Sequence, residues 1–272
     1  MQLPTLSLLD AITLCSLIAA TGIVYNAVEF ISERREILEK FYDWRIVRSR
    51  YYILIGRPIL GWLFDALFSG KQFHVLIVIY GVAAILFPFV VRYSLTTASL
   101  LAATVLLIHC LSHIKLLVGM DGADQMQTII WSALFFVCLP VNEIARLTAI
   151  SFIAVQFVLS YLVSGWAKLL SPIWRKGTAI SKIMRTATYS THNTSRILTR
   201  PSVSFCLSWA TIILETSSPV LLLLGRPGAL FLIVVSTTFH LGIAILMGLT
   251  TFVFAFCAAL PILYFFTGYL NF

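Results

Sequence analysis

From Gly228 to Phe266 the chain carries no Asp, Glu, Lys or Arg. One crossing of the bilayer hydrocarbon takes about 20 apolar residues as a helix rising 1.5 Å per residue. The stretch is too long for one crossing and too apolar to face water. It has to fold as two helices, and Gly248-Leu249-Thr250 is the natural break. Similar runs cover residues 6–31, 73–91, 95–117, 126–141, 144–164 and 202–224. Lipid offers no water to the backbone, so only helices and closed barrels span it. A barrel strand would alternate over about ten residues, whereas these runs are continuous and twice as long. The fold class is therefore all-α: a polytopic helical membrane protein of about eight transmembrane helices. Composition agrees, with 60% hydrophobic and 11% charged residues and a mean hydropathy of +0.96, against about 25% charged residues in soluble domains. No Lys or Arg precedes Arg34, so the first run reads as a mature span and not as a secretory leader.

Charge placement sets the expected topology. Ser32 to Arg50 carries charges of both signs at helical spacing, with Ile37, Phe41, Trp44 and Val47 as one apolar face. This segment is expected to lie as an amphipathic helix in the interface. Residues 51–70 are apolar but broken by Arg57-Pro58, Gly61 and Asp65. Eight basic residues lie between 31 and 71 and seven between 167 and 201, fifteen of the nineteen in the chain. Both segments are then cytoplasmic. Four runs separate them, an even number, so 51–70 is expected to be re-entrant or interfacial, with both termini outside. The whole of 1–272 reads as a single transmembrane domain, with 165–201 as its basic cytoplasmic loop. The net charge of +8 is a topology signal and does not point to nucleic acid.

The five cysteines (15, 110, 138, 206, 257) all lie inside apolar runs without close spacing. They read as small buried hydrophobes, with no disulfide framework. His109 and His113, four apart, share one helical face and could be paired metal ligands. No other ligand cluster stands near them in sequence, so hydrogen-bonded histidines near a helix end are the expectation and no metal site is assigned. In Gly-Met-Asp-Gly-Ala-Asp-Gln-Met, Asp124 either caps the following helix or turns its carboxylate into an internal polar cavity. No internal symmetry of the kind transporters carry is visible.

Three ionisable residues accompany apolar runs in the last third of the chain. Lys168 closes the run that ends Ser164-Gly165-Trp166-Ala167. Glu215 sits deep in Ile-Leu-Glu-Thr-Ser-Ser-Pro, four residues before Pro219. His240 lies amid Thr-Thr-Phe-His-Leu-Gly-Ile-Ala. Uncompensated charge at membrane depth is costly, so Lys168, Glu215 and His240 are expected to share an internal polar site. Separate structural contacts, including a lysine that snorkels to the interface, are the other reading.

The stretch Tyr-Leu-Val-Ser-Gly-Trp-Ala-Lys-Leu-Leu-Ser-Pro-Ile-Trp-Arg-Lys-Gly, with Ile-Leu-Glu-Thr-Ser-Ser-Pro and Phe-His-Leu-Gly-Ile-Ala-Ile-Leu-Met-Gly-Leu-Thr-Thr-Phe, resembles the HTTM domain. That domain is shared by vitamin K-dependent gamma-carboxylases and many bacterial membrane proteins. The likeness is sharp over 121–260 and diffuse before. It implies Lys168 as the base that deprotonates a reduced quinone; Glu215 and His240, joined to it by the cost of burial, are expected as further catalytic residues, and Asp124 and Trp166 as cofactor-binding ones. It implies a quinone or hydroquinone cofactor. Ala167 stands where the carboxylases carry a second lysine, and their large extramembrane domain has no counterpart before Phe272. The nearer likeness is to short members of the sporulation-delaying protein B type, which implies maturation of an exported peptide at the cell membrane. The chain is otherwise expected to be a non-catalytic subunit or scaffold. Membrane lipid, an exported peptide precursor and a partner subunit are the expected partners.

Overall fold

A computed structural model describes residues 5–32, 44, 48, 58–68, 70–116, 120–186, 189 and 196–269. The long helices are α1 (Leu8–Ser32), α3 (Gly70–Val90), α4 (Leu95–Leu116), α5 (Gly122–Cys138), α6 (Glu143–Leu170), α9 (Pro201–Leu222), α10 (Gly225–Met247) and α11 (Thr250–Tyr269). Short helices α2 (Pro58–Phe68), α7 (Pro172–Arg175) and α8 (Ala179–Ile183) lie between them. There is no strand among the described residues. The protein is an all-α polytopic membrane protein, and seven of these helices are long and apolar enough to cross a bilayer.

Eight crossings are expected from the sequence, and the difference lies in α5. It has 17 residues, or about 26 Å at 1.5 Å per residue, against about 30 Å of hydrocarbon. Local chemistry sets its limits. The Asp121 carboxylate caps its start by accepting from the Ala123 and Asp124 amides at 2.8 and 2.9 Å, and Pro140 follows its end. The cap is thus Asp121, not Asp124. Asp124 is its reciprocal partner at the third helical position, accepting from the Asp121 amide at 3.2 Å.

The chain divides into two compact units, residues 16–149 in one and residues 1–15 with 150–272 in the other. In the first, α3 passes to α4 through the turn at residues 91–94, where the Tyr93 and Ser94 amides donate to the Val90 carbonyl. Ser94 opens α4 by accepting from the Thr97 amide. Trp44, Phe68 and Phe73 stack edge to face in its core, and the Trp44 indole donates to Asp65 at 2.7 Å. The helix expected over 32–50 lies outside the described residues apart from Ser32, which ends α1, and Trp44 and Arg48. Of the segment 51–70, the described part is the 11-residue α2 and Gly70, the first residue of α3.

In the second unit the long apolar stretch breaks where expected. Gly248 adopts φ 74°, a left-handed conformation that glycine takes without a Cβ penalty, and its amide donates to Ala244. Pro201 opens α9 at a position where a missing amide costs nothing. All five cysteines are free. Cys15, Cys138 and Cys257 are buried as expected, but Cys110 and Cys206 face outward. Lipid tolerates a thiol on a helix surface as readily as a core does.

Candidate functional site

The site is organised by one face of α6. Tyr161, Ser164, Gly165 and Lys168 lie three, four and seven residues apart, so they form a stripe along that helix. Gly165 has no side chain for a physical reason. A Cβ there would come within 2.9 Å of the Glu215 Cβ, the Thr216 Cγ2 and the Thr216 backbone nitrogen. Its absence lets α9 close onto α6 and brings Glu215 beside the end of α6.

The Lys168 ammonium donates to both Glu215 carboxylate oxygens, at 2.9 and 2.7 Å. Its third donor goes to the Ser164 hydroxyl. Lys168 thus has every N–H satisfied, and Glu215, 6% exposed, has its counter-charge. Pro219 lacks an amide, which leaves the Glu215 carbonyl without its usual helical donor. The buried Ser218 hydroxyl supplies one at 3.1 Å. The proline break is therefore sealed beside the ion pair.

An aromatic wall closes the outer end. The Lys168 ammonium lies 5.2 Å from the centroid of the Trp174 ring, within cation–π range. Trp174 stands on α7, which is tied to α9 by the Trp209 indole donating to the Arg175 carbonyl at 3.2 Å. The Ser204 hydroxyl also donates to the Gly177 carbonyl at 2.5 Å. Gly177 turns the chain between α7 and α8 at φ 69°.

Two helical turns back, about 10 Å along α6, the buried Tyr161 hydroxyl bonds Ser236 at 2.7 Å and His240 Nε2 at 2.9 Å. The His240 ring stacks on Phe256, centroids 4.7 Å apart and planes 17° from parallel. His240 is 3% exposed, yet its Nδ1 has no hydrogen-bond partner. Buried polar atoms are seldom left so.

Of the residues expected to form a site, Lys168 and Glu215 are in direct contact. His240 stands on α10 and meets the same α6 stripe further along, through Tyr161. Trp166 points outward and is 54% exposed, and Trp174 is the indole that meets Lys168. Asp124 belongs to the other unit, where its carboxylate accepts from the Asp121 amide and lies 3.8 Å from the His113 Nε2, and its backbone carbonyl is 3.3 Å from the His109 Nε2. Sequence reasoning missed Tyr161, Ser164, Ser218, Ser236 and Trp174. Tyr161 and Ser164 were findable, because they share the helical register of Lys168. The others depend on which helices meet.

Fold and site together define a multi-pass α-helical membrane protein with a paired lysine and glutamate and a half-bonded histidine inside one helical unit. No protein-family model, curated protein or solved structure matches the chain.

Proposed function

We propose that this chain is an HTTM-like protein of the cell membrane that acts on a quinone-like, lipid-soluble substrate in the maturation or modification of an exported peptide. The observation that carries the reading is the buried His240 Nδ1 without a partner, in a ring bonded through Tyr161 to the α6 stripe that carries Lys168. An orphaned ring nitrogen stacked on Phe256 suits the hydroxyl or carbonyl of a flat aromatic ligand. The ion pair suits proton exchange with such a ligand. Lys168 as paired has no lone pair, so it becomes a base only once one of its protons has passed to the Glu215 carboxylate. An apolar groove of about 420 Å³ supports a lipid tail, a size common for ligand sites. Leu214 and Phe239, one residue from Glu215 and His240, line it.

Quinones quench indole fluorescence on contact, and Trp174 is placed to report it. Titrating a menaquinone analogue into the protein in nanodiscs should give saturable quenching that Trp174→Phe removes and His240→Ala weakens at least tenfold. Quenching that is linear in quinone and the same in all three proteins overturns the reading.

A second reading, a non-catalytic subunit or scaffold, is favoured by the complete satisfaction of the Lys168 ammonium. There the pair only fastens α6 to α9. It expects no saturable ligand.

A further inference from the structure

The residue-16–149 unit holds a second cluster that the proposed function does not use. His109 and His113 lie one turn apart near the end of α4, and Asp124 lies in the first turn of α5. One ligand atom from each falls within 4.8 Å of the others. The two Nε2 atoms face each other at 3.3 Å, and the Asp124 Oδ1 lies 3.8 Å from the His113 Nε2. Ligands of a tetrahedral ion at about 2.0–2.1 Å are separated by about 3.3 Å. The histidine pair already stands at that tetrahedral edge. The carboxylate would need to advance by about half an ångström on His113 and further on His109, since the three ligand atoms span up to 4.8 Å, a shift within the reach of a side-chain torsion.

The surroundings orient the donors as a metal site does. The His109 Nδ1 is 2.6 Å from the buried Tyr80 hydroxyl. The His109 Nε2 also lies 3.3 Å from the Asp124 carbonyl, so it ligates in the tautomer whose Nδ1–H donates to the Tyr80 oxygen, the arrangement by which ligating histidines are held, and the carbonyl contact is given up when an ion binds. The Asp124 Oδ2 is occupied by the Asp121 amide at 3.2 Å, so Oδ1 is the oxygen turned toward the histidines. Lys115, the nearest cation in sequence, is drawn elsewhere. Its ammonium donates to the Phe68 carbonyl at 3.2 Å and lies 3.8 Å from the centroid of the Phe73 ring. His109 is buried, whereas His113 and Asp124 are partly open, which gives an ion a way in.

We propose that His109, His113 and Asp124 bind a divalent first-row transition ion, with Zn²⁺ the best fit to two imidazoles and a carboxylate at tetrahedral spacing. Three protein ligands leave the fourth position for water or an exogenous ligand. The site is independent of the Lys168–Glu215 pair, so either assignment stands without the other.

The test uses full-length protein purified through a tag without histidine, stripped with EDTA and held in nanodiscs. Zn²⁺ titration followed by elemental analysis should restore one ion per chain. His113→Ala and Asp124→Asn should each weaken binding at least tenfold. Asp124→Asn keeps an oxygen for the Asp121 amide, so the helix cap and the fold survive. Co²⁺ in place of Zn²⁺ should give the intense visible absorption of a tetrahedral site. Substoichiometric metal, equal affinity in both variants, or the pale spectrum of octahedral Co²⁺ overturns the assignment.

Discussion

Removing one side of the Lys168–Glu215 pair should cost far more than removing both. Glu215 is 7% exposed in its side chain and Lys168 18%, and the two share two short hydrogen bonds. Deleting one partner of a buried pair leaves an uncompensated charge and costs about 3–5 kcal/mol, whereas replacing both by apolar residues is close to neutral. Lys168→Met strands the carboxylate. Glu215→Met strands the ammonium, with only Ser164 left to accept from it. At about 2–4 °C per kcal/mol for a chain of this size, each single variant should melt about 6–20 °C below wild type. The double variant should melt within a few degrees of wild type. The assay is thermal unfolding in nanodiscs, read as loss of the monodisperse peak on size exclusion. Additive effects, or single variants within about 1 kcal/mol of wild type, would mean an exposed pair of the kind that contributes little. The reasoning about α6 and α9 would then be refuted.

Gly165→Ala should lower stability by about 1–3 kcal/mol, since the added methyl meets the Thr216 backbone nitrogen at 2.9 Å and overpacking costs that much; wild-type melting would show that α9 is not pressed against α6. Tyr161→Phe removes the hydroxyl shared by Ser236 and His240 and should cost about 1–3 kcal/mol for each group left unsatisfied, read in the same melt. Single cysteines at Lys71 and Lys182, in a background without the native five, should both react with an impermeant maleimide only from the cytoplasmic side. Labelling from opposite sides would show that the 17-residue α5 does not cross.

The long apolar runs made the fold class legible, because charge-free stretches of about 20 residues leave the backbone few options in lipid. The break at Gly248 was legible too, since glycine marks where a helix can end in a left-handed turn. The short span was not. Its start depends on the Asp121 cap, whereas the sequence alone points to Asp124, three residues on, as the cap. At the site, Lys168 and Glu215 could be paired by cost alone. Their contact depends on Gly165, whose role emerges only once α9 is seen against it. His109 and His113 announced themselves by spacing, but Asp124 joins them across a loop, and sequence distance hides that approach. Trp166, two residues before Lys168, falls off the Lys168 face by helical spacing alone, whereas Trp174 stands on α7, whose placement against Lys168 the sequence does not carry.

The central claim is that the α6 stripe with Glu215 and His240 holds a lipid-soluble ligand. Native mass spectrometry of protein released from nanodiscs tests it most directly, followed by organic extraction and identification of what remains bound. The account predicts one discrete aromatic, quinone-like species retained near one per chain in wild type and absent from Glu215→Gln and His240→Ala proteins of normal fold. Bulk phospholipid alone, in equal amounts in all three, would contradict it.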